Sequence, residues 1–135
     1  NNDLMYSKIN VLGDFFRILF IENPGIAFGL DTSDYHIYVT ILTIIAVLFL
    51  SIYLYSLIKK NSYEKLSMSL ILGGALGNLI DRILVFIPQF NYRGVIDFID
   101  IGIGHYRWYT FNIADAAITL GLIIFLYQTY ILKKS

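Results

Sequence analysis

Apolar and polar positions along this chain fall into long blocks rather than short periods. Ile37 to Ile58 (IYVTILTIIAVLFLSIYLYSLI) runs 22 residues without a formal charge. Residues 66–87 and 111–132 form two further blocks of similar length, each interrupted by a few polar side chains. About 20 apolar residues cover a hydrocarbon core ~30 Å thick, so all three blocks predict transmembrane helices. The pattern between them is different. Residues 11–28 (VLGDFFRILFIENPGIAF) are aromatic and β-branched, which predicts a strand over Phe15 to Glu22 and a short return over Ile26 to Phe28. Asn23-Pro24-Gly25 supplies the turn, because Pro then Gly suits the two central positions of a type II turn. Asp31 to Tyr35 reads as a short interfacial element. Residues 91–109 (NYRGVIDFIDIGIGHYRWY) read as an outer segment whose Tyr92, Tyr106, Trp108 and Tyr109 suit the headgroup level.

The pattern predicts a membrane all-α bundle carrying a small extracytoplasmic β-structure, in one domain over 1–135. Residues 1–36 make its outer sheet and interfacial element, and 88–110 its outer segment. Composition agrees: 57% of the 135 residues are hydrophobic and 15% charged, against about 25% charged in soluble domains. The absence of cysteine excludes disulfides, thiol nucleophiles and cysteine-ligated metals. Net charge is zero, but its distribution is informative. Lys59, Lys60 and Lys65 flank the link between the first two spans, and Lys133 and Lys134 follow the third. The positive-inside rule therefore puts that link and the C-terminus in the cytoplasm, and residues 1–36 and 88–110 outside. The outward N-terminal segment has no apolar run before it, so a further span is expected ahead of it.

Candidate chemistry lies in polar residues placed where lipid is expected. The second block, LSMSLILGGALGNLIDRILVFI, carries Gly73 and Gly77 one turn apart, with Gly74 and Asn78 beside them; small residues let helices approach closely in lipid. Asp81 lies about 22 Å along the helix from Leu66 at 1.5 Å per residue. With Arg82 it is expected to brace the outer sheet against the spans. Asp115 lies about 6 Å inside the third block on the same rise. A buried acid at a helix centre costs roughly 2.5–3.5 kcal/mol, less near the interface. Either Asp115 complements the helix dipole or it has a function. A helix starting at or before Asn112 weakens the first reading and puts Asn112 on the same face, within hydrogen-bonding reach.

Acid–base chemistry needs a second carboxylate, and VIDFID offers Asp97 and Asp100. Asp97 is a lone acid in an apolar run, whereas Asp100 reads as solvated. Two close carboxylates cannot both ionise easily, so one holds a proton while the other stays charged. Such a pair activates water with one member, protonates substrate with the other, and titrates as a unit. Other hydrolytic chemistries fit poorly. Every lysine except Lys8 falls on the cytoplasmic side, which disfavours a serine–lysine pair. His36 and His105 stand apart without an H-E-x-x-H pattern and read as interfacial residues. Neither metal nor organic cofactor is implied, nor a nucleic-acid partner. The competing readings are a proton-coupled carrier, which uses Asp115 but not an acid outside the spans, and a non-catalytic assembly subunit, which leaves the buried acids unexplained.

Four stretches, ENPGIAFG (22–29), GGALGNLIDR (73–82), VIDF (95–98) and FNIADAAI (111–118), resemble the lipoprotein signal peptidases, or type II signal peptidases, in order and spacing. The resemblance implies that Asp97 and Asp115 are a catalytic pair. Asn23, Gly25, Asn78, Asp81, Arg82, Asn112 and Ala114 match positions that shape the site or hold substrate. It implies four transmembrane helices with a periplasmic β-cradle, the first helix being absent from this sequence, in a monomeric enzyme of the bacterial inner membrane. Its substrates would be prolipoproteins, cut just before a diacylglyceryl-modified cysteine, and its inhibitors globomycin-type cyclic peptides.

Overall fold

The computed structural model describes residues 8–23, 26–27, 30–31 and 33–134. In chain order the strands and helices are β1 (Ile9–Leu12), β2 (Phe16–Asn23), β3 (Ile26–Ala27), β4 (Leu30–Asp31), α1 (His36–Lys59), α2 (Lys65–Leu84), β5 (Val95–Ile103), β6 (Tyr106–Arg107) and α3 (Ile113–Tyr130). They divide into two compact units, one within 1–36 and 81–112, the other within 37–80 and 113–135.

The first unit is built on an antiparallel sheet in the order β1-β2-β5-β6. The predicted strand at Phe15 to Glu22 is present one residue later, and Asn23, assigned to a turn, is its last residue. Pro24, Gly25 and Phe28 lie outside the described residues, so the expected turn does too. Strand β5 was not predicted as a strand. Its sequence VIDFIDIGI puts an acid on each face, which removes the alternation by which a half-buried strand is recognised.

The pairing of β2 with β5 contains a bulge that matters for the chemistry. Arg17 lies opposite Asp100 and Ile18 opposite Ile99, but the next partners are Ile21 with Asp97 and Asn23 with Val95. Three steps along β2 thus match two along β5. Side chains alternate faces along a strand, so positions 17 and 23 of a regular strand would share one. The extra residue of a bulge reverses that parity, and Arg17 and Asn23 fall on opposite faces. Asp97 and Asp100, three residues apart on β5, also take opposite faces. Arg17 therefore accompanies Asp100, and Asn23 accompanies Asp97.

The second unit consists of the helices. All three are long and apolar enough to cross a membrane, and large side chains such as Phe49 and Ile52 are about 70% exposed, as expected of surfaces made for lipid. Val47, Ala75 and Leu79 form its small core, with Leu50 and Leu72 against it. The close approach of α2 to α3 runs through Gly74 and Gly121, not through Gly73. A Cβ on Gly74 would strike the Ala114 carbonyl and come within 2.7 Å of Ile118 Cγ1, and one on Gly121 would come within 2.8 Å of Ile71 Cγ1. A Cβ on Gly73 would meet nothing within 4 Å. At the far end, the buried Ser67 hydroxyl donates to Gln128 Oε1 at 2.8 Å, and Gln128 Nε2 donates to the Tyr63 carbonyl at 3.2 Å. Glu64 accepts a hydrogen bond from the Ser62 hydroxyl and pairs with Lys133 at 3.3 Å.

Candidate active site

Asp97 projects from the middle of the sheet and is only 4% exposed. Burying a carboxylate costs several kcal/mol unless donors replace water, and two asparagines do so here. Asn23 Nδ2 donates to Asp97 Oδ2 at 3.0 Å, and Asn112 Nδ2 to Oδ1 at 3.1 Å. The first arrives because of the β2 bulge. The second arrives because the chain just before α3 returns to β5: Phe111 donates to the Ile99 carbonyl, and its own carbonyl accepts from the N–H groups of Phe98 and Ile99. The backbone next to Asp97 is gripped as well. The Ile96 carbonyl accepts from Asn112 Nδ2 at 3.2 Å, and the Ile96 N–H donates to Asp81 Oδ2 at 3.3 Å. Asp81 thus ties the end of α2 to β5. Arg82 beside it is half-buried in the last turn of α2, where a cation complements the helix dipole.

Asp100 is not solvated, contrary to its reading from sequence. It is 3% exposed, with Arg17 Nε donating to Oδ2 at 2.6 Å and Arg107 Nε to Oδ1 at 3.1 Å. Burial pushes its carboxyl up, but the hydrogen bonds and charges of Arg107 and Arg17 together more than offset that and hold it below the usual carboxylate range. The error has a plain cause: Arg17 is 83 residues away in sequence.

In the second unit, Asp115 is half-buried in the first turn of α3. Asn78 Nδ2, from α2, donates to Asp115 Oδ1 at 2.9 Å. Because α3 begins at Ile113, Asp115 does complement the helix dipole, so that reading stands beside any function. Asn112, expected on the same helical face as Asp115, precedes the helix, and its amide is directed to Asp97 and Ile96. Ala114 packs under the α2 glycines: a Cβ on Gly77 would lie 3.4 Å from the Ala114 Cβ. His36 is half-buried and His105 exposed. Among the described residues no three His, Cys, Asp or Glu side chains gather as a metal site would require. Gly25 lies outside the described residues.

Membrane-length helices and a small antiparallel sheet are the class of fold this chain shares with solved structures. Two structures of bacterial membrane enzymes determined by the in meso method, at 2.3 and 1.9 Å, resemble this chain with TM-scores of 0.73 and 0.72 at 34% and 33% identity. The first match covers 91% of this chain and 70% of that one, the second 93% and 76%. The family model for signal peptidase (SPase) II matches residues 1–131, and the chain belongs to that family of peptidases. Curated relatives include the lipoprotein signal peptidases of Moorella thermoacetica, 42% identical over 90% of this chain, and Blochmanniella pennsylvanica, 44% identical over 82%. The chain spans 73% of the first relative's length and 65% of the second's.

Proposed function

We propose that this protein is an aspartyl endopeptidase of the bacterial inner membrane that removes the signal peptide from prolipoproteins, cleaving before a diacylglyceryl-modified cysteine with Asp97 and Asp115 as its working pair. The observation that carries this reading is the identity of the donors. Asp97 is held by the amides of Asn23 and Asn112, and Asp115 by that of Asn78. Amide donors fix the direction in which each carboxyl presents its oxygens, and a general acid or base must be held within hydrogen-bond reach of the proton it moves. In the reaction one aspartate removes a proton from water, which attacks the scissile carbonyl, while the other protonates the carbonyl oxygen. The proton taken from water later leaves with the amine as the C–N bond breaks. Substrate enters from the membrane, the site faces the outer leaflet, and the lysine-flanked 59–65 link and C-terminus face the cytoplasm. Globomycin-type cyclic peptides would compete for the same site.

The test is cleavage of a diacylglyceryl-modified prolipoprotein by the protein in detergent, read as a gel shift, with Asp97→Asn and Asp115→Asn compared. Both variants are expected to lose at least about a hundredfold in rate, the lower end of the contribution of general acid–base catalysis. Full cleavage by either variant would sink the pair. Dependence on Asp115 alone, with proton flux instead of cleavage, would point to a carrier.

A further inference from the structure

The proposed mechanism uses Asp97 and leaves unexplained Asp100, which is held by two arginines. Asp100, Arg17, Arg107 and Asp14 form a four-charge cluster of zero net charge. Arg17 Nη1 lies 3.1 Å from Asp14 Oδ1, and Arg107 Nη1 lies 3.7 Å from Asp14 Oδ2. Arg107 also donates to the backbone carbonyls of Asp14 and Phe15, and the Gly104 N–H donates to Asp14 Oδ2 at 3.2 Å. The cluster therefore clasps the β1–β2 turn, the start of β2, the middle of β5 and the hairpin into β6. Gly102 leaves room for it. A Cβ there would lie 2.6 Å from Arg107 Cα and 2.8 Å from Arg107 Cδ, in the path by which the arginine reaches Asp100.

A buried ion pair is weak evidence for stability, since apolar residues of the same volume often do as well; its best-attested use is to fix register. Register is what the Asp97 site depends on. Asn23 reaches Asp97 only while β2 keeps its bulge between Ile18 and Ile21. A slip of one residue turns every β2 side chain to the other face and carries the Asn23 amide away. The apolar residues of β2 cannot enforce this. RILFI, residues 17–21, offers apolar side chains to both faces, so a slipped pairing loses little burial. Before the bulge, Arg17 distinguishes the registers, because in one of them it meets a buried carboxylate.

We propose that Asp100 is a positioning residue: through Arg17 and Arg107 it locks β2 and β5 in the register that presents Asn23 to Asp97. This deepens the peptidase reading and rests on it for its effect on catalysis, but the lock itself can be measured separately. The protein has no cysteine, so introduced pairs report register cleanly. Glu22→Cys with Ile96→Cys samples the observed pairing beside Asn23, and Glu22→Cys with Val95→Cys samples a slip of one residue. Oxidative cross-linking of the full chain in detergent is compared with and without Asp100→Asn, alongside kcat and KM for prolipoprotein cleavage by cysteine-free Asp100→Asn.

The observed-register pair is expected to cross-link at least about tenfold faster than the slipped pair. Asp100→Asn should shrink that preference severalfold and lower kcat about tenfold or more with KM within about twofold, one tenfold step being 1.4 kcal/mol. Asp100→Glu, which keeps the charge, should restore most of both. Unchanged cross-linking preference in Asp100→Asn overturns the proposal, whatever the activity. Altered preference with unchanged kcat overturns the link to Asp97 and, if Asp97→Asn is also fully active, the peptidase assignment of that residue. Should Asp100→Asn fail to fold, Arg17→Met, which keeps the aliphatic stem and removes one cation, carries the same comparisons.

Discussion

Asp97 and Asp100 are the same residue type on the same strand, equally buried, three positions apart, yet they have opposite surroundings. One lies among asparagine amides, the other between two guanidiniums. The strand's period of two puts them on opposite faces, and the bulge in β2 lets a single neighbouring strand serve both, with Arg17 on one face and Asn23 on the other. Full positive charges fix a carboxylate as an anion and make it a structural fastener. Amides satisfy its lone pairs without bringing a full positive charge. Burial does not distinguish the two acids on this strand; the donors that hold them do.

The sharpest way to break this contrast is to amidate each acid in turn. Asp97→Asn is expected to cost on the order of 10²–10⁴ in cleavage rate with a smaller drop in melting temperature than Asp100→Asn, since asparagine keeps one acceptor oxygen for the two amides. Asp100→Asn is expected to reverse the pattern. It leaves two arginines facing a neutral amide, and breaking a buried ion pair costs about 3–5 kcal/mol, a figure that Asp14 should reduce. Its main signature is a lower midpoint in thermal or denaturant unfolding, with the smaller loss of rate already described. Equal rates for the two variants would dissolve the distinction.

The next effect is on pH. Because the folded carboxyl of Asp100 lies below its unfolded value, its contribution to stability is fully present above the unfolded pKa of about 3.9. It is lost as pH falls through the folded value. Wild-type protein should therefore lose stability below about pH 4 more steeply than Asp100→Asn, and the two unfolding curves should converge toward acid. Parallel curves from pH 7 to pH 3 would mean that the arginine pairing contributes nothing to folding.

How much of this was legible in the sequence differs between the two units. The three long helices were, to within a few residues at each end, because a block of apolar residues of that length needs no knowledge of its neighbours. Strand β2 was legible through its aromatic and β-branched run. Strand β5 was not, for the same reason that makes it interesting: its two acids cancel the alternation. Asp100 read as solvated because nothing near VIDFID announces that an arginine from the beginning of the chain will lie opposite it. The amide partners of Asp97 depend on a bulge and on a helix start, and that of Asp115 on the approach of α2 to α3, all set by long-range pairing. Gly74 could not be told from Gly73 by spacing, since the facing helix decides which of them is crowded.

A smaller prediction sharpens the contrast between the amide donors. Asn23→Ala removes one donor to Asp97 without touching the Asp100 cluster. A hydrogen bond to a charged group contributes about 1.5–3 kcal/mol, so roughly a ten- to hundredfold loss of kcat is expected if the bond serves the transition state. Asn23→Asp should do worse than alanine, by placing a second negative charge 3.0 Å from the first. If alanine and aspartate are equally active, the amide is a packing residue.

The smallest expected effect sets the scale for the others. Glu64 is a buried acid too, only 6% exposed, but its cation, Lys133, is 69% exposed. Its carboxyl is held below the usual range first by its own backbone N–H, with burial opposing and Lys133 adding to the effect. Since the backbone and Ser62 remain when the lysine is removed, Lys133→Ala is expected to cost no more than about 0.5 kcal/mol, the range of exposed ion pairs. Chemical unfolding of the variant against wild type measures it. A loss comparable to that of Asp100→Asn would mean that ion pairing as such, rather than the doubled and buried arginine clamp on β5, is what stabilises an acid in this protein.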